Sequence, residues 1–152
     1  MGHIMDSMIK FSYDDIHRHT LSLVDKIVSI GVYIDYIAAV SRGGLVPGII
    51  MSHHLDIPLI PVQWSTRDHT VRNHDSVIAE DLASGSTILL VDDINDSGQT
   101  FIELIADWEY NEQCRGKLIT ATLFQRYSTQ HTSNVYDRLI ETDNWIQFPW
   151  EK

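Results

Sequence analysis

After Ser12, the apolar residues Ile16, Leu23, Val24, Ile27 and Val28 recur at steps of three and four. That period predicts an amphipathic helix capped by Ser12 and ended by Gly31. "YIDYIAAV", Tyr33 to Val40, is a nearly unbroken apolar run that predicts a buried strand, interrupted by "SRGG". "LVPGIIMSHHL", Leu45 to Leu55, predicts a short helix, with Pro47 tolerated near the first turn. "IPLIPVQW", Ile57 to Trp64, predicts a second strand whose prolines suit its start or a sheet edge. From Ser65 to Ser86 the chain turns polar and reads as a long loop of the kind that is functional or mobile.

Beyond that loop, "TILLVDD" (Thr87–Asp93) predicts a third strand. "TFIELIADWEY" predicts a helix burying Phe101, Leu104, Ile105 and Trp108, and "KLITATLF" (Lys117–Phe124) a fourth strand. A short strand candidate, "VYDRLI", and an aromatic tail, "WIQFPW", close the pattern. Strands alternating with helices imply an α/β domain with a central, mainly parallel sheet flanked by helices. In such sheets ligands collect at the carboxyl ends of the strands. Two glycine turns, Ser41–Gly44 and Asp96–Thr100, fall at such ends and are expected to face one crevice.

The 152 residues suit a single domain over 1–152. Hydrophobic content of 43% and charged content of 21% are those of an ordinary globular chain. No apolar run approaches the ~20 residues that span a bilayer, and "MGHIMDSMIK" lacks the apolar centre of a signal peptide. The single cysteine, Cys114, fits a reducing cytoplasm. A net charge of −10 argues against a broad nucleic-acid footprint, which needs a basic face. The expected protein is cytoplasmic and binds a small molecule. The eight histidines show no zinc spacing.

The chemistry concentrates in "ILLVDDINDSGQTF", Ile88 to Phe101. Asp96, Ser97, Gly98, Gln99 and Thr100 form a turn entering a helix, whose backbone N–H groups and hydroxyls suit a phosphate monoester. A Walker A loop is absent. Asp92 and Asp93 directly follow the strand, and carboxylates there suit a sugar diol or magnesium, bound directly or through water. In "AAVSRGGLVPG", Gly43 and Gly44 let backbone approach a ligand, and Arg42 offers a fork for phosphate oxygens.

"ILLVDDINDSGQT" resembles the 5-phosphoribosyl-1-pyrophosphate signature of the type I phosphoribosyltransferases. "AVSRGGLVPG" and the terminal "WIQFPWE" narrow the likeness to the bacterial-type xanthine–guanine enzymes, over about Ile37 to Glu151. The resemblance implies a core sheet with a small hood from the termini, about 1–12 and 135–152, and a mobile active-site loop, about 65–86. It implies transfer of a phosphoribosyl group to a 6-oxopurine, with Mg2+ as cofactor. The donor's 5′-phosphate would lie on Asp96–Thr100, its diol on Asp92 and Asp93, and its pyrophosphate on Arg42 and Gly43. Asp96 would be the catalytic general base toward purine N7. Trp145 would stack on the base and Ile146 would read its edge. Arg126 stands where the family has a lysine facing the purine 6-oxygen, and a slip of one residue would put Gln125 there instead. Arg67 and Arg72 are candidates to meet the pyrophosphate when the loop closes. A cis Ser41–Arg42 peptide and a homodimer or homotetramer are further family expectations. The competing readings are a phosphoribosyltransferase for another base and a non-catalytic nucleotide sensor on the same fold.

Overall fold

The structure, a computed structural model, describes residues 8–64 and 76–151. In chain order its elements are β1 (Ile9–Lys10), α1 (Tyr13–Ile30), β2 (Tyr36–Ser41), α2 (Leu45–Leu55), β3 (Leu59–Gln63) and α3 (Ser76–Ser84). They continue as β4 (Thr87–Asn95), α4 (Gln99–Asp107), β5 (Lys117–Arg126), β6 (Val135–Ile140) and β7 (Ile146–Gln147).

Helix α1 starts where its capping box dictates. The Ser12 hydroxyl accepts from Asp15 N at 3.0 Å, and the Asp15 carboxylate accepts from Ser12 N at 2.8 Å. Gly31, in the left-handed region, ends it. Ile16, Leu23, Val24 and Ile27 are buried, but Val28 is exposed, so the apolar stripe is narrower than the sequence period suggests.

Five strands form one sheet in the order β3-β2-β4-β5-β6, with every pair parallel. β2 and β4 lie inside, and Ile37, Ala38, Ala39, Ile88, Leu89, Leu90 and Val91 are fully shielded from water. That explains why these strands read as continuous apolar runs. β3, which carries Pro61, is an edge strand, where a missing N–H costs no ladder bond on its outer side. Alternate residues feed two cores. Ile37, Leu89 and Val91 pack with α1 and the aromatic tail, while Ala38, Ile88 and Leu90 pack with α3 and α4. β5 returns to β6 without a helix, because Val135 pairs with Ala121 rather than with the start of β5. The chain need retrace only about half the strand, and eight residues span up to ~27 Å.

Three expectations are corrected. The polar stretch Ser65–Ser86 is not one loop, since α3 occupies Ser76–Ser84 and buries Ile78 and Leu82 completely. Two apolar contacts one turn apart suffice for this helix, and its polar neighbours dilute the period. β2 begins at Tyr36, not Tyr33. Residues 135–140 belong to the central sheet, so the terminal layer starts later than the expected hood. That layer is the parallel pair β1–β7, with Ile9 N donating to Trp145 O at 2.8 Å and Phe11 N to Gln147 O at 3.1 Å. Among the described residues no helix is long and apolar enough to cross a membrane.

Candidate active site

β4 delivers Asp92 and Asp93 to the carboxyl edge of the sheet. Asp92 Oδ1 accepts from Asp93 N at 2.8 Å, and Asp93 Oδ1 accepts from Ile94 N at 2.7 Å. Burial raises Asp92 well above the ordinary carboxylate range, and the neighbouring Asp93 charge adds to this. Burial also raises Asp93, to about 6; hydrogen bonds from Asp92 and the Ile94 backbone oppose the shift, and the Glu151 charge reinforces it. Among the described residues, the donors to the pair are these backbone N–H groups, and no salt bridge to either carboxylate is formed.

Immediately after them the chain turns through Asp96–Thr100 into α4. Gly98 takes φ 90°, and a Cβ there would lie 2.7 Å from His131 N and 2.8 Å from Thr129 Oγ1, so glycine is required on both counts. Among the described residues no side chain caps α4, although Gln99 N donates to Ser97 Oγ at 3.2 Å. The first-turn N–H groups therefore point into the opening with the positive end of the helix dipole. Asp92 to Phe101 line one cleft of about 320 Å³. It thus unites Asp92, Asp93, Asp96, Ser97, Gly98, Gln99 and Thr100. The Gln99 side chain itself is drawn back along α4, donating to Glu103 Oε2 at 2.8 Å.

The second glycine turn adjoins the same cleft. A Cβ on Gly43 would overlap the Asp93 carboxylate, so the end of β2 is pressed against the end of β4. Arg42 is exposed, and the Ser41–Arg42 peptide is cis, as expected. Neither Arg42 nor Gly43 lines the cleft itself.

Gln125 and Arg126 part company at the end of β5. Gln125 is buried, and its Oε1 accepts from Ser133 N at 2.7 Å and Asn95 Nδ2 at 3.2 Å. Arg126 turns the other way: Nε donates to Asp96 Oδ1 at 3.1 Å, and Nη1 donates to the carbonyls of Thr142 at 2.7 Å and Asn144 at 2.9 Å. Trp145 is 56% exposed, whereas the Ile146 side chain is buried in the core. Because β1 bonds Trp145 O and Gln147 O, the backbone of Ile146 faces the opposite edge of β7. Arg67 and Arg72 lie outside the described residues.

The residues 127–134 play a part that sequence reading missed. Asn95, 3% exposed, directs Nδ2 at His131 O (2.5 Å) and Ser133 Oγ (3.1 Å) as well as Gln125, and its Oδ1 accepts from Thr129 Oγ1 at 3.0 Å. Gln130 N donates to Ser97 O at 2.9 Å. This knot lies directly behind Asp96 and the phosphate-type turn. Its only sequence signal is the polar run "STQHTSN" after a buried strand. Another missed contact is His19 Nδ1 with Asp137 Oδ2 at 2.6 Å, which ties α1 to β6 away from the cleft.

Among the described residues no three His, Cys, Asp or Glu side chains are grouped to hold a metal ion. The pair Asp92 and Asp93 nevertheless fits magnesium, which keeps most of its shell as water and ligand oxygens and needs only one or two carboxylates.

The sequence and the fold resemble those of known proteins. The model of the phosphoribosyl transferase domain matches residues 12–151. A xanthine-guanine phosphoribosyltransferase of Idiomarina loihiensis is 31% identical over 144 residues, covering 92% of this chain and 84% of that protein. One from Cereibacter sphaeroides is 30% identical over 148 residues, with the same coverage of 92% and 84%. Among solved structures, a purine phosphoribosyltransferase from Pyrococcus horikoshii superposes with a TM-score of 0.74 at 28% identity, covering 97% of this chain and 95% of that one. With the domain match running over nearly its whole length, the chain belongs to the phosphoribosyl transferase family.

Proposed function

We propose that the protein is a purine phosphoribosyltransferase. It transfers the 5-phosphoribosyl group of 5-phosphoribosyl-1-pyrophosphate to a 6-oxopurine (guanine, xanthine or hypoxanthine) and releases pyrophosphate and the nucleoside 5′-monophosphate. The observation that carries this reading is the packing of Gly43 against Asp93. It brings the Arg42–Gly43 turn, the acidic pair and the Asp96–Thr100 turn to one place, where the donor's pyrophosphate, ribose and phosphate would lie side by side.

The donor's 5′-phosphate takes the open N–H groups of the α4 N-terminus and the hydroxyls of Ser97 and Thr100. Asp92 and Asp93 accept hydrogen bonds from the ribose diol. Arg42 and the Gly43 backbone hold the pyrophosphate. The anomeric C–O bond to pyrophosphate breaks as a purine nitrogen bonds to that carbon, through a transition state with oxocarbenium character. The two half-buried carboxylates favour this developing positive charge electrostatically. Asp96, whose side chain is 64% exposed at the cleft, receives or holds the proton at purine N7. Trp145 stacks on the base, and the backbone edge of Ile146 turned away from β1 reads it. Of the Arg126 donors only Nη2 is outside the three bonds described, and it faces the base 6-carbonyl. Asp92 and Asp93 would hold Mg2+ directly or through water, and the bound ion would supply charge neutralisation at the leaving pyrophosphate. Arg67 and Arg72 remain candidates to cover that group. A cytoplasmic homodimer or homotetramer is the assembly this reading carries.

The test is product identity. Donor and Mg2+ incubated with the protein and guanine, xanthine or hypoxanthine in turn should, for at least one base, yield the nucleoside 5′-monophosphate and pyrophosphate in equal amounts. Hydrolysis of the donor to ribose 5-phosphate alone, or no turnover with any purine, would overturn the reading.

A further inference from the structure

Arg126 is 6% exposed and closes β5. A buried guanidinium needs compensation, and here it comes from three directions at once. Nε meets the Asp96 carboxylate at 3.1 Å, and Nη1 meets two carbonyls, Thr142 at 2.7 Å and Asn144 at 2.9 Å. Asp96 belongs to the turn at the end of β4, whereas Thr142 and Asn144 belong to the segment entering β7, directly before Trp145. One rigid planar group thus spans the two parts of the site that the purine would touch. The guanidinium fork fixes these bonds in one plane, which a point-like ammonium on a flexible stem cannot do.

We propose that Arg126 is a positioning residue that holds Asp96 and the Thr142–Trp145 segment at one fixed spacing, so that the purine is stacked and its proton received in a single geometry. The inference rests on the purine-transfer reading for its consequence, but its structural half stands alone. Nε and both Nη1 hydrogens serve the frame. Nη2, outside these three bonds, is the donor left for the base 6-carbonyl. The arginine is therefore more than a longer substitute for a base-reading lysine. It is a strut that shapes the pocket whichever 6-oxopurine enters.

The test compares Arg126→Lys and Arg126→Gln with the wild type in three measurements. With saturating donor, kcat should fall ~10²-fold in both variants, the cost of an ångström-scale misplacement, while KM for the base rises less than tenfold. Hydrogen exchange in peptides covering 142–147 should accelerate at least tenfold, with β4 unchanged. In the wild type, the Arg126 Nε–H resonance should persist at neutral pH and should move in Asp96→Asn. This last readout does not depend on either arginine variant folding. A raised base KM with kcat and exchange intact would overturn the proposal and leave Arg126 as a base donor only. An Nε–H resonance absent from the wild type, or unmoved in Asp96→Asn, would overturn it too. If the wild type converts no 6-oxopurine, the transfer reading fails, and the exchange and resonance measurements alone decide the strut.

Discussion

Gly43 and Asp93 are packed so closely that no methyl group fits between the glycine backbone and the carboxylate. The contact joins the carboxyl ends of β2 and β4, and it makes the acidic pair part of the same surface as the Arg42 turn. Gly43→Ala must therefore displace either the turn or the carboxylate. We predict a stability loss of ~1–3 kcal/mol, the usual cost of overpacking, together with at least a tenfold weaker donor affinity. Chemical denaturation and titration calorimetry with the donor and Mg2+ measure the two effects. Donor affinity unchanged in the folded variant would separate the Arg42–Gly43 turn from the donor site.

Asp96 lies where the cleft, the Arg126 guanidinium and the exposed Trp145 segment converge. Asp96→Asn keeps the side-chain size and one acceptor oxygen but cannot take up a proton. Turnover should fall ~10²–10⁴-fold, while donor affinity changes less than threefold. A folded variant with near-normal kcat would remove Asp96 from proton handling.

The half-buried acidic pair gives the stability a pH dependence. Burial raises Asp93 to about 6, so between the ordinary value near ~3.9 and about 6 the folded protein binds this proton more readily than the unfolded chain does. Its contribution to stability is fully present below the unfolded value and is lost as pH rises through about 6. The stability of the wild type relative to Asp93→Asn should accordingly fall from pH 4 to about pH 6.5 and then level off. Mg2+ and donor, which prefer the ionised pair, should reduce that fall. Urea titrations of both proteins across this range give the difference directly, and a flat difference would show that Asp93 titrates normally.

The parts of this site written in contiguous residues were legible in the sequence, and the parts assembled across the chain were not. Ile88–Val91 followed by two aspartates and a glycine turn announces a strand end and an anion site within one short segment. Ser12 and Gly31 mark α1 by local capping alone. By contrast, α3 is anchored by Ile78 and Leu82 on a sheet face that no local pattern reveals. Asn95 reads as one more polar residue of the turn until Gln125, Thr129, His131 and Ser133 close around it. Arg126 was legible as a position but not as a contact, because two of its partners are main-chain carbonyls, which carry no residue-type signal.

On the proposed function, this cleft transfers phosphoribose to a base presenting a carbonyl at position 6. The guanidinium of Arg126 has only donors, so it can pair with a 6-oxopurine but would leave the adenine amino group facing another donor. A site built around one such hydrogen bond can reject the wrong partner by up to ~10⁴-fold. The most direct measurement is kcat/KM for guanine, xanthine, hypoxanthine and adenine, read as pyrophosphate release with saturating donor and Mg2+. The prediction is efficient turnover of at least one 6-oxopurine and at least a thousandfold lower value for adenine (roughly within that bound). Adenine used as well as guanine would rule out a 6-oxopurine site built on Arg126.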